Sequence, residues 1–230
     1  MDLYGLQKLT LLDFPGRVAC TLFTGGCNFR CPFCHNAALV VDVAEQEAYS
    51  EEEIMSFLQK RRGVLDGVAV TGGEPLLMRE LPEFLRRVRS LGYAVKLDTN
   101  GSFPDRLAAL LDEGLVDYVA MDIKNSLAKY GLTVGLPDLD TAPIEKSIAL
   151  LMNGAVPYEF RTTVVKQFHT EKDMSDIGRL IAGARAYYLQ QFKDGEGNIC
   201  PGLEACTPEQ MSKYREILLP FVPNTELRGI

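Results

Sequence analysis

The chain has 230 residues, 47% of them hydrophobic, enough to bury one sizeable core, so a single domain is the economical reading, with its core at about 15–195 and a C-terminal cap at about 196–230. With 24 basic against 31 acidic side chains the net charge is −7, which argues against a nucleic-acid partner presenting a broad phosphate surface. No apolar run approaches the roughly 18 to 20 residues of a membrane span, and the start Met1-Asp2-Leu3-Tyr4-Gly5 lacks the basic and apolar regions of a secretory signal, so a soluble cytoplasmic protein without a membrane partner is expected.

The first strand is expected at 17–24, where Val18 to Phe23 form an apolar run containing Cys20, read as a buried, inert thiol. It leads into Gly25-Gly26-Cys27-Asn28-Phe29-Arg30-Cys31-Pro32-Phe33-Cys34-His35-Asn36. Three soft thiolates on one short loop can hold a metal centre and leave one position for water, His35 or a substrate, which points to chemistry. A structural zinc site of Cys27, Cys31, Cys34 and His35 is the alternative, although zinc ligands usually come as two pairs on separate turns.

A helix is expected at 51–62, where Ser50 and Glu53 have capping-box spacing and Gly63 supplies a stop. The strand at 67–71 ends in Thr71-Gly72-Gly73-Glu74-Pro75. Two glycines let the backbone approach a ligand closely, and the Glu74 carboxylate suits an ammonium group; taken alone the motif is equally a turn. After a helix at 82–91, a strand at 94–99 ends in Asp98-Thr99-Asn100-Gly101; a helix at 104–113 and a strand at 116–123 follow.

That strand carries Asp122 and Lys124 on one face, where they can reach ribose hydroxyls and a carboxylate or pair with each other. A helix at 144–153 precedes a strand at 158–165, with Arg161, Thr163 and Val165 on one face and Thr162 and Val164 on the other. A helix at 173–184 and a strand at 186–192 complete six units. The Gly/Pro-rich loop at 195–208 holds Cys200 and Cys206, too few for a second four-cysteine cluster and read as a loop without metal, with a reversible disulfide or an interface metal ligand as lesser readings. A helix at 208–219 belongs to the cap. Six cysteines without a secretion signal fit a reducing compartment.

Repeated strand-helix units imply a parallel sheet with right-handed crossovers, a doubly wound sheet or a partial barrel, with ligands gathering at the carboxyl ends of the strands. Six units are too few for the eight-unit barrel.

The spacing C-x3-C-x2-C, with Phe33 before the last cysteine, resembles the radical S-adenosylmethionine superfamily. The resemblance implies a partial (β/α)6 barrel open on one side. It also implies that Cys27, Cys31 and Cys34 bind three irons of one 4Fe-4S cluster, with S-adenosylmethionine chelating the fourth. Gly72, Gly73 and Glu74 match the segment that binds the cofactor's amino group. Phe33, Asp98, Asn100, Asp122, Lys124, Arg161 and Val164 are the other matching cofactor contacts.

Cys34-His35-Asn36, the 97–101 stretch, Asp122-x-Lys124 and Arg161-x-x-Val164-Val165 look like those of activases that install a glycyl radical on a partner enzyme. The opening Leu9-Thr10-Leu11-Leu12-Asp13-Phe14-Pro15-Gly16-Arg17 is similar to proteins that activate anaerobic ribonucleotide reductase. Some such activases hold a monovalent cation, for which Asp98, Thr99 and Asp122 are the matching residues. A histidine of the sixth strand in related activases is missing, so the cofactor contact there is either lost or supplied by Gln191, and no ferredoxin-like cysteine insert lies between Asn36 and Ser50. The implied reaction is reductive cleavage of S-adenosylmethionine to a 5′-deoxyadenosyl radical, fed by a flavodoxin- or ferredoxin-like electron donor, with a partner's glycine losing the hydrogen. A member acting on a small molecule, as deazapurine-forming members do, is the runner-up; a zinc- or iron-binding regulatory module is the non-enzymatic alternative.

Overall fold

The computed structural model describes residues 1–195 and 198–230. Residues 196 and 197, in the expected loop at 195–208 and at the start of the expected cap, lie outside the described residues. The strands are β1 (Leu3–Thr10), β2 (Ala19–Thr24), β3 (Gly67–Gly72), β4 (Ala94–Thr99), β5 (Tyr118–Asp122), β6 (Tyr158–Val164), β7 (Tyr187–Gln191) and β8 (Thr225–Arg228). The fold is α/β, and the sheet is open, with strands in chain order and β1 and β8 at its edges. β2 to β7 fall at the six expected positions; β1 and β8 are additions. Among the described residues no helix is long and apolar enough to cross a membrane.

Two compact units make up the chain. The first comprises Met1–Asn28, Asn36–Thr99 and Phe103–Val119. Here β1 runs antiparallel to β2, while β2 and β3 are parallel from Ala19 opposite Gly67 to Thr24 opposite Gly72. β4 continues parallel to β3, with Gly67 opposite Ala94. Val68, Ala69 and Val70 are all buried, as expected of a strand covered on both faces. Gly67 is required because a side chain there would strike the Phe14 ring.

The helices of this unit are the short α1 (Ala38–Val41), α2 (Glu51–Lys60), α3 (Leu81–Ser90) and α4 (Pro104–Asp112). The expected capping box opens α2: Ser50 N–H donates to Glu53 Oε2 at 2.8 Å and Glu53 N–H to Ser50 Oγ at 3.3 Å. α2 buries Ile54 and Leu58, and α3 buries Leu81, Phe84, Leu85 and Val88. Each such side chain contributes about 1.5–3 kcal/mol.

The second unit comprises Phe29–His35, Asn100–Ser102 and Ala120–Ile230. β6, β7 and β8 are parallel, with Phe160 opposite Tyr187 and Tyr187 opposite Thr225. The helices are α5 (Leu127–Thr133), α6 (Ala142–Asn153), α7 (Glu171–Leu180) and α8 (Pro208–Leu218). α7 begins two residues before the expected 173 because Thr170 is its N-cap, forming a capping box with Asp173. Thr207 and Gln210 do the same for α8. Phe160, Val164, Met174, Ile177, Tyr187, Leu189 and Met211 form the core of this unit.

Candidate functional site

In the first unit, the carboxyl ends of β2 and β3 turn into two loops packed backbone against backbone. Gly73 N–H donates to Thr24 O at 2.9 Å, Glu74 N–H to Gly26 O at 2.8 Å and Gly26 N–H to Leu39 O at 2.7 Å. Asn36 Nδ2 adds a bond to Gly72 O at 2.9 Å. A Cβ on Gly72 would collide with the Thr24 backbone, and one on Gly73 with the Gly26 carbonyl. Both glycines are thus needed for the loop leading to Cys27 to pack this closely. Gly72 also has φ +117°, a conformation other residues rarely adopt.

Glu74 is fully buried. Its Oε1 accepts from Leu76 N–H at 3.0 Å and from Thr99 Oγ1 at 2.9 Å, so the carboxylate fixes its own turn and links it to the end of β4. Asp98, next to Thr99, is ion-paired with Lys96, a side chain only 2% exposed.

In the second unit, Asp122 is the centre of a charged triad. Its Oδ2 accepts from Lys124 Nζ at 2.9 Å and its Oδ1 from Arg161 Nε at 2.9 Å. Burial would raise the Asp122 carboxyl, but the Arg161 and Lys124 charges outweigh it and hold it down to about 2. Burial likewise opposes the charge on Lys124, and the Asp122 carboxylate, with a smaller contribution from Cys31, overcomes it, holding the ammonium above its ordinary range. Two cations, Lys124 and Arg161, thus hold one carboxylate between them.

The backbone beneath it is fixed: Tyr130 O–H donates to Asp122 O at 3.3 Å, and His169 Nε2 lies 2.9 Å from Lys124 O. Burial keeps His169 below its ordinary pKa, and therefore neutral near pH 7.

Cys34 N–H donates to Cys31 O at 3.0 Å, a turn that separates the last two cysteines, and Arg30 N–H donates to Val134 O at 2.9 Å. Phe33 is buried with its ring 5.7 Å from that of Phe168, and His35 stacks on Phe192 at 5.8 Å. Cys200 N–H donates to Pro32 O at 2.9 Å, tying the distal loop to the cysteine turn. Asn100 Oδ1 accepts from Ser102 N–H at 2.9 Å. Val164 is buried opposite Gln191 on β7. Gln191 Nε2 donates to Cys206 O at 2.6 Å, while its Oε1 is buried without a hydrogen-bond partner among the described residues.

The expected site residues thus fall into two local groups: Cys27, Gly72, Gly73, Glu74, Asp98 and Thr99 in the first unit, and Cys31, Phe33, Cys34, Asn100, Asp122, Lys124, Arg161, Val164 and Gln191 in the second. Asn36, Lys96, Tyr130 and His169 were not anticipated as parts of it. Asn36 had entered only through the Cys34-His35-Asn36 match, and Lys96 left a signal of spacing: it stands two residues before Asp98 on one strand, the same spacing as Asp122 and Lys124.

Among the described residues no three His, Cys, Asp or Glu side chains form a metal-holding group. The donor chemistry nevertheless suits an iron–sulfur cluster. All six cysteines are thiols; Cys31 is buried, Cys27 and Cys34 are half-buried, and the loop bearing these three is pinned by backbone bonds on both sides.

The model of the Radical SAM superfamily matches residues 21–179. A protein of Methanocaldococcus jannaschii, provisionally named a glycyl-radical enzyme activating enzyme, is 30% identical over 98% of this chain and 95% of its own. The 7-carboxy-7-deazaguanine synthase of Methanopyrus kandleri is 29% identical over 76% of this chain and 73% of its own. Among solved structures, a domain of a pyruvate-formate lyase-activating enzyme from Bacteroides vulgatus has TM-score 0.59 at 19% identity, covering 71% of this chain and 99% of that one, a likeness of fold. A family match across most of the chain, with a relative similar almost end to end, answers the question raised by the cysteine spacing: the chain belongs to the Radical SAM superfamily, whose enzymes use a 4Fe-4S cluster and S-adenosylmethionine.

Proposed function

We propose that this radical S-adenosylmethionine enzyme is an activase that installs a glycyl radical on a partner protein, and that the partner is an anaerobic ribonucleotide reductase. The observation that supports this reading most is the 30% identity, spanning 98% of the chain, to a relative provisionally named for that activity. The opening at 9–17 supports the choice of partner. Residues 1–230 are taken as one catalytic domain, working in the reducing cytoplasm with a flavodoxin- or ferredoxin-like donor.

In this reading Cys27, Cys31 and Cys34 hold the cluster. When bound and reduced, the cluster supplies the electron that cleaves S-adenosylmethionine to methionine and a 5′-deoxyadenosyl radical. The chain's own groups bind and orient. The triad of Asp122, Lys124 and Arg161 receives the cofactor's carboxylate and hydroxyls, its charges fixed in place before the ligand arrives. Gly72, Gly73 and Glu74 meet the cofactor's amino group, and Glu74 also holds their turn by its bonds to Leu76 and Thr99. Phe33, Asn100, Val164 and Gln191 complete the cofactor's surroundings.

Electron paramagnetic resonance tests the reading. The reconstituted chain, reductant and S-adenosylmethionine are mixed without oxygen with an anaerobic ribonucleotide reductase. A glycyl-radical signal that disappears with Cys31→Ala is expected. The relative named 7-carboxy-7-deazaguanine synthase favours a second reading, a small-molecule reaction. Cofactor cleavage without a protein radical, together with turnover of a deazapurine precursor, would support that one instead.

A further inference from the structure

We infer that the Lys96 ammonium takes the place at Asp98 that a monovalent metal cation would otherwise fill, so that this site carries its own tethered cation and binds no alkali ion there.

Lys96 is among the largest fully buried side chains of the described residues. Lysine is almost never buried to that degree without a partner, because the ammonium must give up its water. Its partner is Asp98, two residues on and on the same face of β4, at the strand's carboxyl end. The resemblance offers three residues to a monovalent ion, Asp98, Thr99 and Asp122, and both carboxylates among them are already paired with cations of the chain. Asp98 is paired with Lys96. In the second unit, Asp122 is already charge-balanced, its Oδ2 accepting from Lys124 and its Oδ1 from Arg161, each at 2.9 Å.

An alkali ion added at Asp98 would meet a carboxylate already neutralised and a buried ammonium of the same sign beside it. Like charges held that close in a poorly solvated setting repel strongly. A single positive charge on a four-carbon tether does the electrostatic work of the ion, and its occupancy does not depend on salt composition. The residues present therefore do not fit the expected ion.

The inference rests on the proposed cofactor site for its meaning, but its test reads ion binding alone, so it can fail while the activase reading stands, and the reverse. The reconstituted chain, in sodium- and potassium-free buffer, is titrated with thallous ion and followed by 205Tl nuclear magnetic resonance. Wild type is expected to show no saturable binding that depends on Asp98. Lys96→Met, with its fold checked by circular dichroism, is expected to gain a saturable site at least about tenfold tighter than any wild-type binding, about 1.4 kcal/mol, and Lys96→Met/Asp98→Asn to lose it. Saturable wild-type binding that Asp98→Asn abolishes would overturn the inference, whether or not the lysine variant folds. So would a folded Lys96→Met that gains no site.

Discussion

Glu74 N–H donates to the carbonyl of Gly26, 2.8 Å away, tying the end of β3 to the residue before Cys27. The contact exists because Gly73 has no side chain: a Cβ there would overlap the same carbonyl. Neither partner is backbone that can retreat easily, since Gly26 N–H is itself held by Leu39 O. Gly73→Ala is therefore expected to cost about 1–3 kcal/mol of stability, as overpacking does, and to lower the iron retained after reconstitution. Urea unfolding and iron analysis check this; wild-type values in both would show that the two loops are not coupled.

Glu74 is read as an acceptor inside the protein. Glu74→Gln retains Oε1 and is expected to be mild, whereas Glu74→Ala leaves Leu76 N–H and the Thr99 hydroxyl without their buried acceptor, at a cost of about 2–4 kcal/mol. Comparing the two by thermal unfolding separates hydrogen bonding from charge. Equal damage from both variants would mean that the negative charge itself is required.

Acid titration probes the Asp122 triad. The folded carboxyl is held at about 2, below its ordinary 3.8, so its contribution is fully present above pH 4 and is lost as pH falls towards 2. The gap corresponds to roughly 2 kcal/mol. Asp122→Asn is expected to be less stable than wild type by a constant amount above pH 4, with the two curves converging towards pH 2. A difference that persists unchanged to pH 2 would contradict the proposed role of the Lys124 and Arg161 charges.

Gln191 combines one good bond, to Cys206 O, with one buried oxygen that lacks a partner among the described residues. Gln191→Leu removes a bond worth about 1 kcal/mol and an unsatisfied acceptor of similar cost, so stability is expected to change little. If Gln191 serves the cofactor, affinity for S-adenosylmethionine falls about tenfold, or about 1.4 kcal/mol. Equilibrium dialysis decides; unchanged affinity would remove Gln191 from the site.

Strands β2, β3 and β5 were legible as apolar runs and β4, β6 and β7 from their β-branched and aromatic residues between helical stretches, and α2 because its capping box is a local device of four adjacent positions. β1 was not, since Gly5, Gln7 and Lys8 interrupt its alternation, and β8 was not because it is four residues long with two charges. α5 escaped notice because its seven residues include Gly131, needed where the carbonyls of Leu136 and Pro137 come close. Among the candidate site residues, the Asp122 and Lys124 pair was readable from period-two spacing. The bond from Thr99 to Glu74 was not, because it joins positions 25 apart in the chain through a chain reversal that no local pattern records. Lys96 could have been read from its spacing to Asp98, but a lysine in a strand is ordinarily taken for a solvent-facing residue.

The most direct measurement is anaerobic cofactor cleavage: the chain reconstituted with iron and sulfide, reduced, given S-adenosylmethionine and assayed for 5′-deoxyadenosine, with Cys31→Ala alongside. Product from the wild-type chain and none from the variant is the expected result. A fully loaded cluster that yields no 5′-deoxyadenosine, or equal product from Cys31→Ala, would contradict the assignment of these three cysteines to radical chemistry.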